Sequence, residues 1–137
     1  MSAEKYKALG RRLVEEAINE GNLAFIDEFM VSDYDRHDAS SHVVGRENYK
    51  QLLRAIRVAF PDLHETIEVL IAEGDMVALR GTFRGTHKGE LRGIAPTGKV
   101  VEWTYTGIIR LANGKMVESW SNSDMLGLMQ QLGAIPE

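Results

Sequence analysis

The sequence predicts an α+β fold in which helices pack against one face of a curved, mostly antiparallel sheet. Apolar residues recur at helical spacing before Pro61 and then alternate with a period of two. The alternating stretches are separated by turn signals, of which Asn113-Gly114 is the clearest. With 137 residues, the chain is long enough for one domain, 1–137, and too short for two ordinary ones. Helices on one side of a curved sheet leave a pocket between the layers, which is a natural ligand site.

Three helices are expected, near residues 3–20, 23–30 and 46–60. The apolar stripe of the first is Tyr6, Leu9, Leu13, Ala17 and Ile18, and that of the third is Tyr49, Leu52, Leu53, Ile56 and Phe60. Gly21 suits the end of the first helix, and Asn22 suits the N-cap of the second. These helices therefore have an apolar side to place on the sheet.

Residues 32–44 show no clear period and are interpreted as an irregular segment. The segment contains His37-Asp38, which follows the second helix closely enough to reach a pocket mouth. The alternative is an exposed loop histidine, because irregular segments usually run over the surface.

Four strands are expected in the second half, near residues 63–72, 76–86, 99–111 and 115–123, before a short terminal helix. Strict alternation places several apolar residues of the first of these strands on one face, namely Leu63, Ile67, Val69 and Ile71. The glycine-rich segment 87–98 is expected to form a loop. Helices first and a meander of strands afterwards are typical of an α+β domain.

Composition excludes several classes of function. The absence of cysteine excludes disulfides, thiolate nucleophiles and cysteine-based zinc sites. A formal net charge of −4 does not favour binding to a phosphate backbone, so no nucleic-acid partner is expected. No apolar run is long enough to cross a bilayer, and the N-terminus lacks the apolar core of a signal peptide, which predicts a cytoplasmic protein with no membrane partner. The four histidines show no ligand-like spacing, so no metal site is expected; the alternative is a site that the fold assembles from histidines distant in sequence.

The last strand carries the residues best suited to chemistry. Alternation puts five of them on one face: Met116, Glu118, Trp120, Asn122 and Asp124. If that face looks into the pocket, Asp124 lies beside the indole of Trp120, and a partly dry site raises the pKa of a carboxyl group. Asp124 would then exchange a proton with a carbon acid or an enolate oxygen, and Asn122 would orient a substrate carbonyl.

A second interpretation of the same strand is purely structural. Asp124 directly precedes the expected terminal helix, and aspartate is a favoured N-cap residue. In that case Trp120 only fills the core, and Glu118 pairs with an arginine at the sheet edge.

Three further side chains are candidate pocket groups. Trp103 and Tyr105 share one face of the preceding strand, where they either stack on a flat ligand or fill the core. His87 begins the glycine-rich loop and is either a donor at the pocket rim or a solvated side chain.

Several short segments, taken in order, resemble the SnoaL-like polyketide cyclases of the nuclear-transport-factor-2-like (NTF2-like) superfamily. They are GNL at 21–23, AFPDL at 59–63, AEGD at 72–75, GTHKGE at 85–90, PTG at 96–98, NGKMVESW at 113–120 and DMLGLMQQLG at 124–133. The segments are spread over nearly the whole chain, and their order and spacing are more specific than any one of them.

The resemblance implies an α+β cone, a curved sheet wrapped around helices. It also implies closure of a ring of an aromatic polyketide by intramolecular aldol condensation, without metal or cofactor. The acid/base of such cyclases is an aspartate at the end of the last long strand, which matches Asp124 by position. Asn122 and His37 would then be polar orienters of the substrate. The pocket would be lined by Trp103, Trp120 and Tyr105, with His87 and Glu118 as further contacts.

The same fold also hosts other functions. A non-catalytic small-molecule-binding or assembly domain would not need Asp124 to face a cavity. Epoxide-hydrolase-like chemistry needs an Asp–Arg–Asp set, for which no second aspartate obviously joins Asp124, although several arginines are available: Arg80, Arg84 and Arg110. Ketosteroid-isomerase-like chemistry needs a tyrosine and a protonated carboxylic acid, and Tyr105 with Glu118 are the candidates.

Assembly of two chains is also expected. The sheet face that the helices leave uncovered still carries apolar side chains, and a long apolar face is seldom left to water. We therefore expect a homodimer formed through the sheet, with a hydrophobic small molecule as the substrate.

Overall fold

The computed structural model describes residues 2–39 and 41–136, which form one α+β unit with four α-helices. Helix α1 spans Ala3–Arg12 and continues without a break as a π-helical segment, Leu13–Asn19. The remaining helices are α2 (Leu23–Phe29), α3 (Arg46–Ala59) and α4 (Met125–Gln131). The expected helical ranges are confirmed, and only the wider π-helical segment was not foreseen.

Six strands form a single mixed sheet. They are β1 (Met30–Asp38), β2 (His42–Val44), β3 (His64–Glu73), β4 (Met76–Thr86), β5 (Val100–Ala112) and β6 (Lys115–Ser123). Their spatial order is β2-β1-β6-β5-β4-β3, and every neighbouring pair is antiparallel except β1 with β6. The predicted fold class, a curved and mostly antiparallel sheet with helices on one face, is confirmed. The four strands expected in the second half are confirmed as well.

The expectation that residues 32–44 are irregular is wrong. Most of this segment lies in β1 and β2, and β1 pairs with β6 in parallel. The reason is that β1 carries polar side chains toward both faces of the sheet, so it lacks the hydrophobic alternation that identifies a strand.

Two of the three register shifts in the sheet determine which side chains of β3 and β6 reach the core. In β3 the pairing with β4 shifts between Ile67 and Val69, and in β6 the pairing with β5 shifts between Met116 and Glu118. Each shift inserts one extra residue in a strand, and a slip of one residue exchanges the two faces. The expected common face of Leu63, Ile67, Val69 and Ile71 is therefore wrong, because the last two are 44% and 57% exposed.

The Asn113-Gly114 hairpin is confirmed. Both residues have positive φ, 53° and 76°, which is the conformation of a type I′ turn. The hairpin joins the two central strands of the sheet, and the apolar core lies between their concave side and the helices. Among the described residues, none of the helices is long and apolar enough to cross a membrane.

The concave face depends on glycine at one place where a side chain has no room. A Cβ atom on Gly81 would overlap the carbonyl oxygen of Thr66 and lie 2.8 Å from the hydroxyl oxygen of Tyr105. By contrast, a Cβ atom on Gly107, in the neighbouring strand, would meet its nearest heavy atom at 3.5 Å. Gly81 is thus a packing requirement of the sheet, and Gly107 is not.

We expect Gly81→Ala to lower the free energy of unfolding by about 1–3 kcal/mol, because backbone and ring must move to admit the methyl group. The matched control, Gly107→Ala, should be neutral or slightly stabilising, since it also restricts the unfolded chain. Urea denaturation of both variants checks this. Equal stabilities for the two variants would contradict the packing account.

Candidate active site

A cavity of about 350 Å³ lies between the helices and the concave face of the sheet. Its wall is mostly apolar and includes an aromatic group formed by Phe60, Phe83, Trp103 and Tyr105. Within this group Phe83 stacks on Trp103 with ring centroids 5.3 Å apart, and Phe83 also contacts Tyr105 at 4.8 Å. The cavity is large enough for a small organic ligand, and its aromatic side suits a flat one.

The predicted placement of Trp103 and Tyr105 on one inward face is confirmed. Both side chains are buried, and both line the cavity. The sequence left open whether they meet a ligand or only fill the core, and their position in the cavity wall allows contact with a ligand.

Glu65 is the buried acidic side chain of this cavity. The residue is 6% exposed and lines the cavity from β3. Its backbone is fixed by the side chain of Asn19, which accepts a hydrogen bond from the Glu65 N–H (2.7 Å) and donates one to the Glu65 carbonyl oxygen (3.0 Å). Asn19 ends the π-helical segment, and such segments often occur at functional sites because they displace side chains from regular helical positions.

The environment of Glu65 disfavours its charged form. Burial raises the pKa of Glu65 from 4.5 to about 7, and the nearby Tyr105 hydroxyl offsets part of this effect. Burial also raises the pKa of Tyr105, and the neighbouring Glu65 raises it further, so its hydroxyl stays protonated. Near neutral pH, Glu65 therefore exists in comparable amounts as acid and base, beside a neutral phenol.

The Tyr105 hydroxyl is buried and makes no hydrogen bond of good geometry with any described residue. It stands close enough to Glu65 for the two groups to influence each other's pKa, without forming a well-directed bond. A buried hydroxyl without a partner is costly, so this donor is available to an oxygen atom of a ligand. Glu65 and Tyr105 together offer a proton-transfer group and a hydrogen-bond donor.

A second polar group of the cavity lies on β1 and β6. The guanidinium of Arg36 donates hydrogen bonds to the carboxylate of Asp38 (3.2 Å) and to the hydroxyl of Ser121 (3.1 Å). Ser121 in turn donates to Asp38 at 2.9 Å. All three residues line the cavity, which places one positive charge, held beside a carboxylate, in an otherwise apolar wall.

A third polar contact joins the same two strands. The hydroxyl groups of Tyr34 and Ser119 are hydrogen-bonded at 2.5 Å, and both residues are buried. Burial raises the pKa of Tyr34 far above its usual value, so its hydroxyl remains neutral. This contact holds β1 to β6 on the cavity side of the sheet.

The predicted inward face of the last strand is wrong. The register shift near Val117 turns Ser119, Ser121 and Ser123 toward the cavity instead. Glu118 and Asn122 are not among the lining residues. Alternation without a register shift had placed Glu118 and Asn122 inward and the three serines on the outer face.

Trp120 borders the cavity, but its indole ring stacks on the imidazole of His37, with centroids 5.5 Å apart. His37 belongs to β1 and does not line the cavity, so its expected position in a loop at a pocket mouth is wrong. The alternation of β1 sends its neighbours Arg36 and Asp38 inward and His37 to the open face of the sheet, the face without helices.

Asp124 is the N-cap of α4. Its carboxylate accepts a hydrogen bond from the N–H of Gly127 at 2.9 Å, and it occupies the space that a side chain at position 127 would need. The residue is exposed and does not line the cavity, although its neighbours Ser123 and Met125 do. The capping interpretation thus describes the observed contact, and the acid/base role of Asp124 stays a prediction.

His87 is fully buried, so the expectation of a rim donor or a solvated side chain is wrong. The imidazole Nδ1 accepts a hydrogen bond from the N–H of Thr97 at 3.2 Å, and the ring packs on Phe60. Backbone bonds from His87 to Gly98 and Lys99 close the same loop. His87 is therefore an anchor for the loop 87–98 and does not line the cavity.

The predicted pairing of Glu118 with an arginine is confirmed, but its predicted place at the sheet edge is wrong, because β5 and β6 are the two central strands. Arg110 donates to Oε1 of Glu118 at 3.1 Å, and His37 contacts Oε2 at 2.8 Å. The hydrogen bond from His37 and then that from Arg110 lower the pKa of Glu118. Glu118 and Tyr105 lie on opposite faces of the sheet, so their pairing as two oxyanion donors is wrong.

One group of described residues has the composition of a metal site, and it lies outside the cavity. The ligand atoms of Asp35, His37 and His42 lie within 4.8 Å of one another on β1 and β2. The absence of a histidine spacing motif did not exclude such a group, because strand pairing brings its members together.

Sequence reasoning missed Glu65 and Arg36. Glu65 stands between Leu63 and Ile67, so the alternation of β3 already places a carboxyl group on an inward face. Arg36 gave no such signal, because the strand that carries it was not recognised. An ionisable residue at an inward position of an apolar strand was the available indication of the site.

Comparisons with known proteins agree with this architecture. The family described as SnoaL-like polyketide cyclase matches residues 8–132. The chain is 30% identical over 129 residues to aklanonic acid methyl ester cyclase DauD of Streptomyces sp. (strain C5), covering 91% of this chain and 80% of the relative. It is 28% identical over 120 residues to nogalonic acid methyl ester cyclase of Streptomyces nogalater, covering 85% and 90%. Among solved structures, AclR of Streptomyces galilaeus, a protein with a proposed hydroxylase activity, is 34% identical with a TM-score of 0.89, covering 99% of this chain and 85% of AclR.

The burial of Glu65 predicts a specific dependence of stability on pH. Its pKa in the folded state is raised above the ordinary value of 4.5, so its contribution is fully present below pH 4.5 and is lost as the pH rises through about 7. Glu65→Gln has no such ionisation. Relative to the wild type, this variant should therefore gain up to about 3 kcal/mol in free energy of unfolding between about pH 4.5 and pH 8.

Urea denaturation of both proteins across this pH range measures the difference. The isosteric substitution keeps the volume, so the comparison isolates the charge. A constant difference between the two proteins at all pH values would contradict a raised pKa at Glu65.

Proposed function

The chain belongs to the SnoaL-like polyketide cyclase family, and on this premise we propose that it closes a ring in a hydrophobic, polyketide-like carbonyl compound by an intramolecular aldol reaction without a cofactor. Its homologues are polyketide cyclases that act on small-molecule substrates. The observation that carries the proposal is the buried Glu65 beside the Tyr105 hydroxyl in an aromatic cavity.

In the proposed reaction, the Glu65 carboxylate removes a proton from a carbon next to a carbonyl group. The resulting enolate is stabilised by a hydrogen bond from Tyr105, whose hydroxyl has no other well-formed partner among the described residues. The enolate carbon attacks a second carbonyl carbon of the same molecule, and a C–C bond forms as the π bond of that carbonyl breaks. The new alkoxide takes the proton back from Glu65, so the product is an isomer of the substrate.

A pKa of about 7 suits both halves of this proton transfer. A general base must be ionised when it abstracts the proton, and the same group must then be acidic enough to return it. An exposed glutamate is almost fully ionised at neutral pH and is a weak base, whereas burial gives Glu65 both forms in comparable amounts.

The remaining cavity residues support binding and orientation in this proposal. Trp103 and Phe83 provide a flat surface for an aromatic or conjugated substrate. Arg36 provides a hydrogen-bond donor for a carbonyl, phenol or ester oxygen at a separate point of the wall. Hydrogen bonds from Tyr105 and from Arg36, made at two separate points of the wall, would fix the direction in which the substrate lies.

The three residues first predicted for catalysis, Asp124, Asn122 and His37, do not line the cavity. The acid/base role that the resemblance predicts for Asp124 is the competing assignment, since its carboxylate caps α4 next to the cavity-lining residues Ser123 and Met125. Asn122 and His37 are not among the cavity-lining residues, so their predicted roles as orienters depend on a different substrate position. The geometry favours Glu65 over all three.

Three alternative functions differ from cyclisation in their products or in the residues they require. A hydroxylase, the activity proposed for AclR, would add an oxygen atom to the substrate, whereas cyclisation leaves its mass unchanged. A non-catalytic binding domain would bind the compound and return it unaltered. Epoxide-hydrolase-like chemistry needs two aspartates around an arginine, and among the described lining residues Arg36 has Asp38 as the only aspartate.

Assembly and location are also part of the proposal. We retain a cytoplasmic homodimer formed through the open face of the sheet. That face carries exposed apolar side chains, Val69 and Ile71 on β3 and Ile108 on β5, with Ile108 paired to Trp120. An apolar patch of this kind is buried more favourably against a second copy than left in water.

For the activity, we expect Glu65→Gln to lower kcat by about two to four orders of magnitude, because the amide cannot exchange a proton with carbon. The test substrates are aklanonic acid methyl ester and nogalonic acid methyl ester, the compounds named for the cyclase relatives. Chromatography with mass spectrometry follows the loss of substrate and the appearance of an isomer. Wild-type protein that consumes neither compound would count against the proposed cyclase function on this substrate class.

The matched control is Asp124→Asn. Asparagine still accepts the hydrogen bond from Gly127, so we expect a normal melting temperature and a rate within a few-fold of the wild type. A fall of a hundredfold or more in Asp124→Asn, with Glu65→Gln unaffected, would transfer the acid/base role to Asp124.

For assembly, light scattering at micromolar concentration should give the mass of a dimer. Ile71→Lys should shift the mass toward that of one chain, since it places a charge in the proposed contact and Ile71 does not line the cavity. Lys substitution of Val58, an exposed residue of α3, is the control and should leave the dimer intact. A monomeric mass for the wild type would contradict the proposed homodimer.

A further inference from the structure

The open face of the sheet carries a compact group of imidazole and carboxylate side chains that the cavity chemistry does not use. Asp35 and His37 come from β1, His42 from β2 and Glu118 from β6. These strands are adjacent in the sheet, so residues that are distant in sequence lie side by side. We call these four residues the open-face cluster.

The cluster converges on one carboxylate. The two Nε2 atoms of His42 and His37 lie 2.5 Å and 3.4 Å from the two carboxylate oxygens of Asp35. The Nε2 atom of His37 also lies 2.8 Å from Oε2 of Glu118. The imidazole rings stack with centroids 4.9 Å apart, and the Trp120 indole covers the far side of His37.

Hydrogen bonding alone leaves the cluster short of positive charge. Each neutral imidazole has a single N–H to donate, and that of His37 would have to serve both Asp35 and Glu118 if it sits on Nε2. Arg110 balances the negative charge of Glu118. Among the described residues, Asp35 forms ion pairs only with His37 and His42. With both imidazoles neutral, two adjacent carboxylates and one guanidinium leave a negative site lined by two imidazole nitrogens.

We propose that the open-face cluster binds a divalent transition-metal ion, with zinc as the best match, through Asp35, His37, His42 and Glu118. Nitrogen and carboxylate oxygen ligands in a set of four are typical of tetrahedral Zn²⁺. Zinc bonds to such atoms are about 2.0–2.2 Å long, so ligand atoms around one ion are separated by roughly 3–4 Å. The ligand atoms of Asp35, His37 and His42 lie within 4.8 Å of one another, and Oε2 of Glu118 lies 2.8 Å from Nε2 of His37.

The proposed ion would brace the short edge hairpin of the sheet. Strand β2 has only three residues and pairs with β1 alone, so a metal bond from His42 would add a link between this hairpin and β6. The connection between the two strands includes Ser41, which lines the cavity. Metal binding on the open face would therefore stabilise a segment that also borders the proposed substrate site, without taking part in the reaction.

Isothermal titration of tag-free protein with Zn²⁺ tests the proposal, together with the visible absorption of the Co²⁺ form. We expect one ion per chain, a dissociation constant in the micromolar range or below, and a higher melting temperature with Zn²⁺. His42→Gln and Asp35→Asn should each weaken binding by about tenfold or more and remove the thermal shift. The Co²⁺ spectrum should show tetrahedral coordination and should disappear in His42→Gln.

The control is His64→Gln, which removes an exposed histidine from β3, at the opposite edge of the sheet from β2. This variant should bind Zn²⁺ like the wild type. Circular dichroism confirms that each variant is folded. No saturable binding by the wild type, or equal binding by His42→Gln, would show that the cluster is only a hydrogen-bonded group. One ion per two chains would also overturn the proposal, since it would assign the ion to a contact between copies.

Discussion

The register between β5 and β6 is the constraint on which the arrangement of the cavity depends. One extra residue in β6, near Val117, reverses the alternation of the strand after Met116. Serines at 119, 121 and 123 therefore face the helices, and the larger or charged side chains at 118 and 122 face outward. Small hydroxyl side chains leave space for a cavity of about 350 Å³ and supply partners for Tyr34 and Arg36. Without the shift, the side chains of Glu118 and Asn122 would point into this space.

On the β3 side of the cavity, the position of Glu65 also depends on a register shift. Glu65 is inward because it precedes the shift in β3, and Asn19 of the π-helical segment holds its backbone in place. Gly81 leaves room for the Tyr105 hydroxyl next to it. Burying a carboxyl group lowers the stability of the folded chain. The register of β3, the Asn19 side chain and Gly81 nevertheless keep Glu65 and its neighbour Tyr105 in the core, where a protein without a use for the carboxyl group would place an apolar residue. This cost is the physical argument that Glu65 serves a function.

Much of the fold could be predicted from the sequence, because its signals are local. The helices follow from apolar stripes and caps, and the hairpin follows from Asn113-Gly114. The site was harder to predict because each shift of register exchanges inward and outward residues, and nothing in the alternation of β3 or β6 marks the extra residue. Strand β1 was missed because its polar side chains serve both faces of the sheet. The open-face cluster joins strands that are distant in sequence, so histidine spacing carried no information about it.

Catalysis by Glu65 requires a buried carboxyl group whose pKa is near neutral in the folded protein. The most direct measurement is a ¹³C NMR titration of the glutamate side-chain carboxyl signals, with the Glu65 signal assigned by its absence in Glu65→Gln. We expect this signal to titrate at about pH 7, well above the ordinary glutamate value of 4.5. A Glu65 signal that titrates together with those of the exposed glutamates would show that Glu65 is not the proton-transfer group.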